Sequence, residues 1–287
     1  MIRKAFLPVI IFSLVTASHA ATVDTISIYS KAMHKEFKCV VIKPELNKKH
    51  AGRGGKNMEF PVVYLLHGYD GWYSNWIIRV PQLKEYADQY KLMIVCPDGG
   101  KSSWYFDSPV DSTMKYETYI SNEVPAYIDA HYPTIKNRAG RGITGLSMGG
   151  HGAFLLALRH PDFFGACGSM SGGMDLNYSR NKFDIMKRLG DTLTHAENWQ
   201  KNVVIHVVDE YKKRLETSLA DTLTMIFDCG VDDFYFEANK LFHEKLLQLK
   251  LAHDYIVRPG KHDWAYWRNA VSYQLLFFSN FFKRSVK

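Results

Sequence analysis

Hydrophobic and polar positions change their period along the chain, and each change marks an element. Val23-Asp24-Thr25-Ile26-Ser27-Ile28-Tyr29-Ser30 alternates with period two, the pattern of a strand buried on one face. Residues 36–43 read as a second strand, ended by Pro44, so the two predict an antiparallel edge hairpin. Residues 60–66 are apolar almost throughout, which suits a central parallel strand covered on both sides. Further strand segments fall at 92–96, 138–144, 164–171, 223–230 and 254–258. Between them the apolar spacing turns helical. Helices are expected over 80–90, over 112–130 (Ile120, Val124, Ile128), over 153–158, over 234–249 and over 264–282 (Trp264, Trp267, Val271, Leu275, Phe278, Phe282). Strand and helix alternate, so the predicted class is α/β, a doubly wound, mostly parallel sheet with helices on both faces. Residues 174–222 interrupt the rhythm, being polar and irregular apart from a helix expected near 209–220. An insertion of about 50 residues is either a cap over a site or a packed surface embellishment.

One turn has chemistry in it. Gly142-Ile143-Thr144-Gly145-Leu146-Ser147-Met148-Gly149-Gly150 reads as a strand, a sharp turn with a serine at its apex, and a helix. This is the nucleophile-elbow pattern G-x-S-x-G, in which small neighbours let the turn lift the hydroxyl clear of the sheet. A plain Gly-rich turn would look the same, so partners decide. In a doubly wound sheet the ligand lies at the carboxyl ends of the strands. Those ends carry His67-Gly68-Tyr69, Asp98-Gly99-Gly100, Ser147, Asp232-Asp233 and Lys261-His262-Asp263. A serine, an acid and a histidine therefore follow one another in the order this architecture uses.

The chemistry requires all three. A serine hydroxyl is a weak nucleophile near pH 7 until an imidazole takes its proton, and a buried carboxylate must orient that imidazole. Ser147 is the expected nucleophile and His262 the base. Asp232 and Asp233 compete for the acid role, since helix capping explains either alone, and Asp228 lies within its strand. An oxyanion hole is expected at the backbone amides of Met148 and Tyr69. His67 is read as shaping that loop, His151 and His160 as structural, and Asp98 and Asp107 as turn formers.

Composition narrows the classes. With 287 residues, 46% hydrophobic and 23% charged, the chain can bury one large core. Arg3 and Lys4 precede an apolar run that ends at Ser18-His19-Ala20, so residues 1–20 read as a signal peptide cleaved near Ala20. The apolar run is short against the roughly 20 residues of a membrane span. Residues 21–287 are then a single domain, exported to the periplasm or outside the cell. The net charge of +7 is mild once Arg3 and Lys4 are discounted, and Lys48, Lys49, Arg53 and Lys56 read as a solvated loop. No aromatic and basic alternation suggests a nucleic-acid surface. The four cysteines sit in apolar segments and are expected as buried free thiols; Cys167–Cys229 is the one plausible bridge, if their strands are neighbours. No spacing suggests a metal site, and no Gly-rich loop matches a nucleotide cradle, so no cofactor is expected.

Five blocks carry a family resemblance: Leu65-Leu66-His67-Gly68, Pro97-Asp98-Gly99-Gly100 with Ser103-Trp104-Tyr105, Gly145-Leu146-Ser147-Met148-Gly149-Gly150, Cys229-Gly230-Val231-Asp232-Asp233 and Gly260-Lys261-His262-Asp263-Trp264. They resemble the esterase D and antigen 85 branch of the α/β-hydrolases, which includes feruloyl esterases. The resemblance implies a Ser147, Asp233, His262 triad with Asp232 in reserve, and an oxyanion hole at Tyr69 and Met148. It further implies a serine carboxylesterase acting on feruloyl or acetyl esters of plant polysaccharide. Tyr69, Trp72, Trp104 and Tyr105 are expected near the mouth, where they would suit an aromatic acyl group or a sugar. Two rivals stand beside it: an acyltransferase like antigen 85, and a carbohydrate-binding protein on a hydrolase scaffold.

Overall fold

The structure, a computed structural model, describes residues 21–45 and 58–285. Residues 1–20, expected as a signal peptide, and most of the expected basic loop lie outside the described residues. Among the described residues eight strands form one sheet: β1 (Thr22–Ser30), β2 (Lys35–Lys43), β3 (Val62–Leu66), β4 (Met93–Pro97), β5 (Arg141–Gly145), β6 (Ala166–Met170), β7 (Thr224–Gly230) and β8 (Asp254–Arg258). Their order is β1-β2-β4-β3-β5-β6-β7-β8. β1 and β2 form the antiparallel edge hairpin; β2 meets β4 antiparallel, and every later pairing is parallel. This follows the sequence pattern. β3, β4, β5 and β6 are buried at every position, whereas β1 alternates.

Among the described residues ten α-helices flank the sheet: α1 (Asn75–Arg79), α2 (Leu83–Tyr90), α3 (Tyr116–Thr118), α4 (Val124–His131), α5 (Met148–Arg159), α6 (Ile185–Leu189), α7 (Ala196–Asn202), α8 (Val204–Glu216), α9 (Phe236–Gln248) and α10 (Trp264–Ser285). Two buried clusters cover the two faces. One gathers Phe154, Leu155, Val208 and Phe242, the other Trp76, Leu83, Val271 and Phe278. α10 carries the second cluster through Trp267, Val271, Leu275, Phe278 and Phe282, spaced as its sequence predicts.

Two expectations shift and a third, of buried free thiols, holds. The helix over 112–130 is α3 and α4 joined by a wide π turn, Tyr119–Glu123. Pro125 has no N–H to give the preceding turn, which is a physical reason for the ladder to widen there. The helix near 209–220 begins earlier, as α8, because Val204, Val207, Val208 and Tyr211 face the core. The 167–229 bridge does not form, and all four thiols are free and buried. β6 and β7 are neighbours, but Cys167 lies opposite Met225, while Cys229 lies opposite Val257 of β8. Burial pushes each of these thiols well above its ordinary pKa.

Candidate active site

The strand order reverses direction about β3, which has β4 on one side and β5 on the other. The loops after β3 and β5 therefore flank the crevice where such sheets bind ligands. The first carries His67-Gly68-Tyr69 and the second Ser147.

The elbow is held from both sides. Leu146 N–H donates to Leu66 O at 3.2 Å, and Ser147 N–H donates to Met170 O at 2.9 Å. Between them Ser147 adopts φ 53° and ψ −114°, a strained conformation for a residue with a Cβ, costing about 1–3 kcal/mol. The flanking glycines are steric necessities. A Cβ on Gly149 would lie 2.6 Å from both Leu66 O and His67 O, and one on Gly145 would lie 2.7 Å from Leu66 O. Ser147 occupies the N-cap position of α5, yet its hydroxyl makes no cap. It points to the imidazole instead.

Ser147 Oγ lies 2.9 Å from His262 Nε2. His262 Nδ1 lies 2.9 and 3.0 Å from the two oxygens of Asp233. A carboxylate only accepts, so Nδ1 carries the proton and Nε2 presents its lone pair to the serine. The Asp233 side chain is wholly buried and also accepts the Tyr235 N–H at 2.8 Å. Of the two competing acids the structure brings in Asp233. Asp232 is exposed, and its N–H holds Gly260 O at 2.9 Å, which pins the turn that delivers His262. The amides of Tyr69 and Met148 have no acceptor among the described residues, although the next ones along, Asp70 and Gly149, do. Met148 opens α5, so its free N–H also stands at the positive end of a twelve-residue helix.

The remaining candidates are structural. His67 is buried and keeps a low pKa because burial disfavours its cation, against the Gly68 carbonyl that raises it. Its Nε2 accepts the Gly99 N–H at 2.7 Å, and its Nδ1–H donates to Gly68 O at 2.8 Å. It braces the loop, as expected. Burial pushes His151 down to about 4, despite the Trp104 and Asn202 carbonyls facing its ring. His160 pairs with Glu117 at 2.9 Å. Asp98 accepts Gly100 N–H and Asp107 accepts Thr118 N–H, both turn or cap bonds.

The expectation for the mouth is corrected. Trp104 and Tyr105 are buried, at 1% and 0% exposure. Consecutive positive φ angles, 53° and 62°, turn both rings inward, where Tyr105 Oη–H donates to His67 O and the Trp104 indole N–H to Phe183 O. Tyr69 and Trp72 do line the cleft, which measures about 360 Å³. Sequence reasoning missed Phe183, Phe234 and Arg79 there, and read Trp264 and Trp267 as core. Tyr69, Phe183 and Phe234 pack ring on ring at 5.3 and 5.9 Å, with Phe234 4.2 Å from His262. Phe183 is the contribution of the 174–222 insertion, while α7 and α8 pack against the body through Trp199, Val204 and Val208. The position of Phe234, one residue past Asp233, was the one available signal.

A mostly parallel sheet with a serine elbow at its switch point defines the α/β-hydrolase class. Within it, the chain belongs to the Esterase family, whose model matches residues 30–278. It is 35% identical over 140 residues to the diacylglycerol acyltransferase/mycolyltransferase Ag85B of Mycobacterium avium, covering 46% of this chain and 42% of that protein. The chain thus aligns with less than half the length of the curated relatives it matches. A solved ferulic acid esterase is similar at 29% identity, with TM-score 0.73, over 92% of this chain and all of that one. The fluorophosphonate-binding serine hydrolase F of Staphylococcus aureus shares the fold at TM-score 0.80 and 22% identity, over 91% of this chain and all of that one. No helix among the described residues is long and apolar enough to cross a membrane.

Proposed function

We propose that the protein is an exported serine carboxylesterase that works through an acyl-Ser147 intermediate. The observation that carries the reading is the unbroken line Ser147–His262–Asp233, at 2.9 Å for each step. In this mechanism Nε2 of His262 takes the hydroxyl proton as Oγ attacks the ester carbonyl. Asp233 holds the imidazolium that forms, and the Tyr69 and Met148 amides receive the oxyanion. His262 then protonates the leaving alcohol, and water repeats the cycle to release the acid.

The Tyr69, Phe183 and Phe234 wall favours a flat acyl group, so feruloyl esters of plant polysaccharide are the first candidates, with acetyl esters next. The similarity to a ferulic acid esterase points the same way. The match to Ag85B supports a second reading, transfer of the acyl group to a sugar hydroxyl in place of water.

The test compares residues 21–287 with the Ser147→Ala variant on p-nitrophenyl acetate, p-nitrophenyl butyrate and methyl ferulate. Loss of at least about 10³-fold in kcat is expected for the variant. Equal rates in the two proteins on all three esters would overturn the reading. Added alcohol acceptors that yield ester product would favour transfer.

A further inference from the structure

The cleft is also lined by an exposed cation that makes no ion pair among the described residues. Arg79, the last residue of α1, lies 5.8 Å above the ring of Trp264. That ring is fixed edge-on by Trp76 at 5.2 Å and by Trp267 at 5.5 Å, and Trp267 stands 4.9 Å from His262. A short relay of rings therefore ties the guanidinium to the base of the proposed triad.

Arginines stacked on aromatic rings occur elsewhere in the molecule, and they set the comparison. Arg258 lies over Tyr266 and Tyr273, and its charge is met by Asp228 at 3.4 Å. Arg141 lies over Phe163 and meets Asp129 at 2.5 Å. Lys101 pairs with Asp70 at 3.5 Å, Lys187 with Asp184 at 2.8 Å and Arg188 with Asp111 at 3.0 Å. Among the described residues Arg79 has a ring beneath it and no carboxylate beside it. Stacking on a π face leaves the five N–H donors of the fork free, and a guanidinium stays charged at any working pH.

We infer that Arg79 is a specificity residue that receives an anionic group, a carboxylate or phosphate, on the substrate's ester. Taking the proposed ester chemistry as given, the natural substrate then carries a negative charge outside the reacting carbonyl, on its acyl or its alcohol part. Trp72 and Trp264 line the same cleft, so flat surfaces are available there to a charged part of ring size.

Matched ester pairs test this. On the alcohol side, 3-acetoxybenzoate is compared with its methyl ester, and 3-acetoxyphenyl phosphate supplies the phosphate arm. On the acyl side, mono-4-nitrophenyl succinate is compared with its methyl ester. At least one anionic ester is expected to exceed its neutral partner about tenfold in kcat/KM, the scale of one charge-assisted hydrogen bond. Arg79→Gln should bring that ratio to near one, Arg79→Lys should keep part of it, and added salt should shrink it. In Ser147→Ala protein, titration of tryptophan fluorescence with 3-hydroxybenzoate and 3-hydroxybenzamide reads the same preference without turnover. Ratios near one in both assays, or a preference that survives Arg79→Gln, would overturn the inference while leaving the esterase reading intact. A wild type that turns over no ester yet binds the acid about tenfold more tightly than the amide would sink the esterase reading and keep the anion site.

Discussion

Asp228 and Asp233 sit five residues apart, both side chains wholly buried, each facing a basic partner, and their surroundings make them different groups. Asp228 lies inside β7, between Met170 of β6 and Ile256 of β8. Burial pushes its pKa up to about 6, against Gln274 and Arg258, which pull it down. Gln274 holds it at 2.8 Å from α10, so it serves as a tie between sheet and helix. Asp233 lies just past the strand end, where its oxygens meet an imidazole whose other nitrogen opens on the cleft. Burial is common to both. Position relative to the strand's end separates a structural carboxylate from one that can take part in chemistry.

The comparison breaks most visibly at Asp233. Asp233→Asn should lower kcat by about 10⁴-fold while the fold persists, because an amide can donate to Nδ1 and so stabilise the wrong tautomer. Steady-state kinetics beside a thermal melt reads both halves; a loss under about tenfold would remove Asp233 from the proposed triad. Asp228→Asn should do the reverse, leaving kcat within a few-fold and altering stability against pH. Between about pH 4 and pH 6 the folded protein keeps a proton on Asp228 that the unfolded chain, with a pKa near 3.8, has released. Stability from this group is therefore full below about pH 4 and declines as pH rises through about 6, by up to about 3 kcal/mol. Urea titrations at pH 4 and pH 7 should show that decline in the wild type and lose most of it in Asp228→Asn. The smallest effect is expected at Asp232. Its backbone, not its carboxylate, does the holding, so Asp232→Asn should stay within about twofold of wild-type kcat/KM.

These three aspartates also show what the sequence made legible. Asp228 was placed within its strand, because the apolar run 223–230 continues through it. Asp232 and Asp233 could not be told apart by pattern, because a turn decides which neighbour faces inward and a turn has no period. The same limit explains Trp104 and Tyr105. A segment with two consecutive positive φ angles has no face to predict, so rings expected at the mouth fill the interior. Ser147 and His262 were legible because glycines bracket one, and the other lies in the short turn between a strand and a helix. Phe183 was not, since it belongs to an irregular segment whose path depends on contacts far along the chain. Arg79 and Trp264 were hidden differently. Periodicity told which helix face is apolar, but not that the rim of that face opens on the cleft.

Sequence distance has one further consequence. Ser147 stands at the middle of the sheet, while His262 hangs four residues beyond β8, the outermost strand, bonded on one side only. During synthesis the strand of the proposed nucleophile can settle long before the proposed base exists, so on this reading an active molecule appears only once β8 has docked. On heating, an edge strand such as β8 is expected to fray before the centre of the sheet, which would part His262 from Ser147 while β5 is still in place.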